Sequence, residues 1–368
     1  MDGLIESIRR LDNPSVVGLD PRPDLLPGQL LDQALAQTET VLDEAGIRRD
    51  DPEAAPQVEG AWAERLADAY LRFNLAVIDG VAGLVPAVKP QIAMYEALGP
   101  AGIRAYTATC RAAHERGLYV LGDIKRGDIG STAAAYAGHL SGLPLTYRKA
   151  SCARGGGSQD GRTLTGQAGP LRPSGATWPW YEDAVTVNPY LGGDGVLPFV
   201  EAACAGGQDV FVLVRTSNPS GADFQDLKVE GTGESPATTL ADRVGRQVGE
   251  WGSGSVGENG YSRVAAVVGA THPSEGARLR RALPHTFFLV PGYGAQGGRA
   301  DDVAPMFDGQ GSGALVNSSR GIIGAWRSDR DYSPSLSLQA ALGLVSRSAG
   351  RAATGMRDSL REAIKEGR

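Results

Sequence analysis

Tyr119-Val120-Leu121-Gly122-Asp123-Ile124-Lys125-Arg126-Gly127-Asp128 begins as an apolar run and ends with four ionisable side chains inside six residues. Its first half has the length and composition of a buried strand, and its second half does not belong in a core. In extended backbone, residues two apart share a face, so Asp123 and Lys125 point the same way while Asp128 falls on the following loop. Working outward, short runs rich in valine, isoleucine and leucine predict strands at 16–19, 84–88, 119–123, 184–187, 210–214, 264–268, 287–290 and 314–316. Segments with helical spacing stand between them, among them 62–81, 103–116 and 132–140. Strands alternating with helices are the pattern of parallel βα units. Polar residues follow most of the strands, and eight such ends converge on one site only if the sheet closes, which predicts a (β/α)₈ TIM barrel rather than an open doubly wound sheet.

At 368 residues and 42% hydrophobic content the chain can bury a large α/β core. A net charge of -6, with no clustered lysine and arginine, excludes a protein that grips a nucleic-acid backbone. The start, Met1-Asp2-Gly3-Leu4-Ile5-Glu6, lacks the basic and apolar regions of a signal peptide, and no stretch has the length of a membrane span. A cytoplasmic enzyme acting on a small molecule is expected. Cys110, Cys152 and Cys204 are odd in number and far apart, so reduced structural thiols are expected. His114, His139, His272 and His285 form no metal-ligand spacing and are assigned surface or structural duty.

The barrel is expected over 1–330, with insertions at about 43–58 and 145–179, and residues 331–368 form a C-terminal helical segment packing on it. The first insertion is rich in Asp, Glu, Arg and Pro and reads as an exposed or helix-capping stretch. The second contains Gly155-Gly156-Gly157 with scattered Ser, Thr and Arg, too polar for a buried helix. A third piece, 252–260, reads as a loop before the sixth strand.

Chemistry collects at the strand ends. Gly18-Leu19-Asp20 ends the first strand, Val88-Lys89-Pro90-Gln91 the second, and Asp123 and Lys125 the third. Taken alone, each charge could be a solvated surface group in an ion pair worth at most about 1 kcal/mol. Together they bring two carboxylates and two ammonium groups to neighbouring strand ends, where barrels keep catalytic groups. Strand seven leads into Pro291-Gly292-Tyr293-Gly294-Ala295-Gln296-Gly297-Gly298, whose glycines let backbone N–H groups approach an anion. Strand eight ends in Asn317-Ser318-Ser319-Arg320, adding a guanidinium suited to bidentate phosphate binding. Loops after strands seven and eight are the recurrent phosphate position of this architecture, so a phosphorylated substrate is expected.

Asp123-x-Lys125-x-x-Asp128, Lys89, the 291–298 loop and Arg320 together resemble the orotidine 5'-phosphate decarboxylase family. Val88-Lys89-Pro90-Gln91, the run from Lys125 to Gly130, and Val187-Asn188-Pro189-Tyr190-Leu191-Gly192 are similar to its longer bacterial branch. The resemblance implies decarboxylation of orotidine 5'-phosphate to UMP in pyrimidine biosynthesis, without cofactor or metal, by a homodimer. It implies that Lys125 donates a proton to C6, Asp123 faces the substrate carboxylate, and Lys89 orders the charge array and the ribose. Asp20 is implied at the ribose hydroxyls, Ser217 at the pyrimidine, and Gln296 and Arg320 at the phosphate, with Pro291 among the binding residues. Asp128 and Thr132 would reach the partner subunit's site. Two other readings are weighed: a magnesium-dependent sugar-phosphate lyase or synthase sharing the Asp-x-Lys-x-x-Asp motif, and a non-catalytic nucleotide-phosphate sensor. The lyase would need a further acidic ligand near strand two, where Lys89-Pro90-Gln91 stands and Glu96 comes later.

Overall fold

Strands β1 (Ser15–Leu19), β2 (Ala87–Pro90), β3 (Tyr119–Arg126), β4 (Ala184–Val187), β5 (Asp209–Arg215), β6 (Val264–Val268), β7 (Phe288–Val290) and β8 (Ala314–Ser318) pair in chain order. Every neighbouring pair is parallel, and β8 closes on β1 through Val16 opposite Asn317. This is the expected (β/α)₈ barrel, seen in a computed structural model that describes residues 1–141, 180–231, 238–294 and 297–367. The expected insertion at 145–179 lies outside the described residues.

Helices α1 (Asp2–Leu11), α2 (Gly28–Glu44), α3 (Ala55–Val81), α4 (Gly99–Glu115), α5 (Gly130–Tyr136), α6 (Gly193–Gly206), α7 (Leu240–Gly252), α8 (Pro273–Ala282) and α9 (Leu338–Glu366) surround the barrel. On α3 the apolar positions Leu66, Ala69, Tyr70, Phe73, Val77 and Val81 are all buried, as a stripe at helical spacing requires. The helix also begins seven residues before the expected 62, with Pro56 in its first turn, where a missing N–H costs nothing. The stretch between α2 and α3 is correspondingly short and includes a 3₁₀ turn, Pro52–Ala54, whose N-terminus Asp51 caps. The expected helix over 132–140 is broken in two, α5 and the single turn Gly138–Ser141.

The barrel sorts its side chains by alternation. Val17, Val88, Val120, Val185, Val212, Ala266 and Val290 point outward into a core shared with Phe73, Tyr106, Phe199, Val248 and Leu279 of the helices. Val16, Ala87, Leu121, Ala184, Phe211, Ala265, Phe287 and Leu315 point inward and fill the barrel's lower half. Met1, Leu4 and Ile5 join that inner cluster, so α1 closes the end where the strands begin. Only the other end is left for chemistry.

The last helix, α9, lies along α3 and buries Ala341, Leu344, Val345, Ala349, Ala353, Met356, Leu360 and Ile364. The two helices cross where Gly80 meets Ser346 and Gly350. A Cβ on Gly80 would sit 2.0 Å from the Ser346 carbonyl oxygen, so the crossing admits no side chain there. Among the described residues no helix is long and apolar enough to cross a membrane. Cys110 is buried and Cys204 exposed, both as free thiols, and burial pushes the Cys110 thiol well above the ordinary thiol range. His139 is buried, stacked on Trp180 at 4.1 Å and 2.8 Å from Glu182.

Candidate active site

Two residues above the inward apolar layer, every strand but β1, where that position is Gly18, presents its next inward side chain. Ala87 is followed by Lys89, Leu121 by Asp123, Ala184 by Thr186, Phe211 by Leu213, Ala265 by Val267, Phe287 by Leu289 and Leu315 by Asn317. All seven line a cavity of about 350 Å³ at the strands' C-terminal ends. One wall is therefore charged and polar, from β2, β3, β4 and β8, and the opposite wall is apolar, from β5, β6 and β7. A flat molecule with one charged edge fits between such walls.

Asp123 is the centre of the polar wall, 5% exposed. Its Oδ2 accepts from Lys89 Nζ at 2.6 Å and from Gln91 Nε2 at 2.9 Å. Its Oδ1 accepts from Lys125 Nζ at 2.5 Å and from the Thr186 hydroxyl at 2.9 Å. Burial on its own would raise the Asp123 carboxyl, but the Lys89 and Lys125 ammonium groups reverse that and hold it well below the usual carboxylate range. Burial likewise opposes the charge on Lys89, yet Asp123 and Asp20 raise its pKa above the ordinary lysine value. Both groups are ionised at neutral pH. The two lysines differ in access: the Lys89 side chain is 5% exposed and that of Lys125 45%.

Lys125 does not reach Asp123 by simple alternation. Its φ is 45°, in the left-handed region that costs a side-chain-bearing residue of order 1–3 kcal/mol. The pairing of β3 with β4 shifts between Gly122 and Arg126, and β3 runs on past the expected 123 to Arg126. This bulge turns the Lys125 side chain back over the carboxylate.

Of the residues singled out from sequence, Asp20, Lys89, Asp123, Lys125, Ser217, Pro291 and Arg320 line the one cavity. Asp20 Oδ1 is buried without a hydrogen-bond partner among the described residues. Arg320 opens a single helical turn, Arg320–Ile323, directly after β8. The glycine loop folds tightly on itself, with Gly294 N–H donating to Gly298 O and Gly298 N–H to Gly292 O. Gly292, Gly294 and Gly297 all have positive φ. Gln296 lies outside the described residues. Asp128 and Thr132 are not in the cavity lining; Asp128 Oδ1 accepts from the Ile129 N–H at 2.7 Å, and Thr132 is exposed on α5. Gln91, Thr186, Asn317 and Arg22 join the lining without having been singled out as site residues. Gln91 and Thr186 were legible only through alternation, one step beyond Lys89 and Ala184, since neither carries charge. Among the described residues no group of three or more histidine, cysteine or acidic side chains is arranged to hold a metal ion.

Comparison with known proteins agrees with this geometry. The family model described as orotidine 5'-phosphate decarboxylase / HUMPS family matches residues 69–158 and 179–330. The chain is 41% identical over 317 residues to the orotidine 5'-phosphate decarboxylase of Rhodopirellula baltica, covering 86% of this chain and 85% of that one. It is 34% identical to that of Caldicellulosiruptor saccharolyticus, over 89% and 90% of the two chains. Among solved structures, the Leishmania donovani OMP decarboxylase superposes with a TM-score of 0.59 at 25% identity, covering 98% of each chain.

Proposed function

The chain belongs to the orotidine 5'-phosphate decarboxylase / HUMPS family, and we propose that it decarboxylates its substrate with Lys125 as proton donor to C6. Its activity is the conversion of orotidine 5'-phosphate to UMP and carbon dioxide, a carboxy-lyase step of pyrimidine biosynthesis. The observation that carries the proposed mechanism is the Asp123 carboxylate held between Lys89 and Lys125 on the polar wall.

Breaking the C6–carboxyl bond leaves the electron pair on C6 in the ring plane, where the π system delocalises it poorly. Fixed positive charge and prompt protonation have to supply the stabilisation. Lys125 supplies both: its ammonium faces the developing pair, gives C6 a proton as carbon dioxide leaves, and regains one from water. Its 45% exposure supports this role over Lys89, which is buried against Asp123 and Asp20. Asp123 lies toward the substrate carboxylate, a repulsion that eases as carbon dioxide departs. Asp20 and Lys89 take the ribose, and Ser217 the pyrimidine over the apolar wall. Gln296 and Arg320 take the phosphate, whose binding energy holds the ring in register with Lys125, and Pro291 lines the site.

The active species is a homodimer in which Asp128 and Thr132 serve the partner's site. Two features support this. Both residues stand outside their own cavity lining, and they are flanked by exposed Ile129, Tyr136, Tyr190, Leu191 and Leu197. The loops after β3 and β4, with the helices α5 and α6 that follow them, carry these side chains and pack together, with Gly195 against the Asp128 carbonyl. Exposed apolar side chains grouped on packed segments suit burial by a second copy.

The test is the loss of orotidylate absorbance on adding purified, chelator-treated protein. Turnover without added metal is expected. A folded protein that binds UMP yet leaves orotidylate unchanged would overturn the reading.

A further inference from the structure

Thr186 is the inward residue of β4, 1% exposed, and its hydroxyl is used twice. It accepts the backbone N–H of Lys125 at 3.0 Å and donates to Asp123 Oδ1 at 2.9 Å. One buried oxygen thus ties together the amide of the left-handed residue, the carboxylate beside it, and the strand against which β3 changes register. Lys125 Nζ meets the same Oδ1. Backbone and side chain of Lys125 are therefore pinned to Asp123 by two routes, and one of them passes through Thr186.

We propose that Thr186 is a positioning residue for the decarboxylation, fixing the left-handed turn at Lys125 and hence the direction in which its ammonium is presented. The inference rests on the reading of Lys125 as proton donor. A valine has the same shape as threonine but can neither accept the amide nor donate to the carboxylate, so it would leave a part-buried N–H unmet and one carboxylate lone pair unfilled. With that tie cut, the turn relaxes toward ordinary strand geometry and the ammonium swings off Oδ1. Ground-state binding, which draws on Arg320, Ser217 and Asp20 at the rest of the cavity, is unaffected. Serine keeps both hydrogen bonds.

Wild-type protein, Thr186→Val and Thr186→Ser are compared for kcat, KM, UMP binding and thermal midpoint. Displacing a reacting group by about an ångström costs on the order of 10²-fold in rate, so kcat of the valine variant is expected to fall by that factor. KM and UMP affinity should stay within about twofold of wild type, as for a group acting only on the chemical step, and serine should recover most of the rate. Wild-type kcat in Thr186→Val would overturn the inference, and so would a rate loss that tracks the thermal midpoint and is not recovered by serine. If the valine variant fails to fold, amide exchange at Lys125 in the wild-type protein decides: protection supports the tie, and free exchange overturns it. An inactive wild-type protein would instead remove the parent reading.

Discussion

Lys89 and Lys125 bring the same charge to the same carboxylate, and their burial separates their work. Lys89 is enclosed, so it fixes the field; Lys125 has an open side and can exchange a proton. Lys125→Ala should therefore fold normally and lose turnover by at least 10²–10⁴-fold, roughly the usual range for one proton-transfer group. Arg320→Ala should mainly raise KM, because the phosphate it is proposed to hold does not react. Steady-state kinetics on the two variants separates these effects, and near-normal turnover in Lys125→Ala would remove it from the chemistry. Asp123 gives a second prediction, through pH. Its folded pKa lies below the unfolded value of about 3.9, so its contribution to stability is complete above that value and is lost as pH falls through the folded one. Lys89 is raised above about 10.4, so its contribution is complete below that value and is lost as pH rises through the folded one. Asp123→Asn leaves Lys89 buried without its main partner and should cost about 3–5 kcal/mol. Urea melts should find the gap between wild type and Asp123→Asn constant from about pH 7 down to about pH 5 and shrinking only below about pH 4. A gap that stays constant below about pH 4 would place the carboxyl in the ordinary range and contradict the paired geometry.

At the scale of elements, the α3–α9 crossing depends on a missing side chain. Gly80→Ala gains helix propensity but drives a methyl group into the Ser346 carbonyl, and backbone cannot yield as a flexible side chain can. The net expectation is a loss of about 1–3 kcal/mol in denaturant melts, with kcat unchanged because the crossing lies outside the barrel; a stabilised variant would show that the helices separate freely. Nothing in the residues around Gly80 announces this contact, since a partner 266 residues away leaves no local pattern. Strands were legible for the opposite reason. β4 and β6 have the expected bounds, 184–187 and 264–268, because their valine runs start and stop with the pairing. β8 runs two residues past its expected end, because Asn317 and Ser318 continue the ladder opposite Val16 and Val17 while looking like loop. The same confusion hid Thr186 and Gln91, polar side chains that belong to the strand register. Charge, by contrast, is conspicuous at a strand end, and Asp20, Lys89, Asp123 and Lys125 all reach the cavity. The left-handed turn at Lys125 was beyond sequence, being imposed by β4 rather than by any glycine at that position.

For the whole molecule, the division of the Asp-x-Lys-x-x-Asp motif is the property to test. Asp123 and Lys125 face their own cavity, whereas Asp128, three residues on, has left its lining for a loop edged by exposed apolar side chains. In the proposed isologous dimer each site would combine one chain's Lys125 with the other's Asp128. Lys125→Ala and Asp128→Ala proteins, each inactive alone, are unfolded together and refolded at equal concentration. In a hybrid dimer the chain carrying Asp128→Ala keeps its own Lys125 and borrows a sound Asp128, while the second site collects both lesions. Random pairing makes about half of the dimers hybrid, so about one quarter of all sites should be intact and activity should return to about that share of wild type. If Asp128 served its own chain, every site in the mixture would carry one lesion and no activity would return. Tyr190→Asp, which sets a charge in the apolar edge without touching the cavity lining, should abolish recovery by keeping the chains monomeric in sedimentation. Recovery that persists among monomers would refute the shared site.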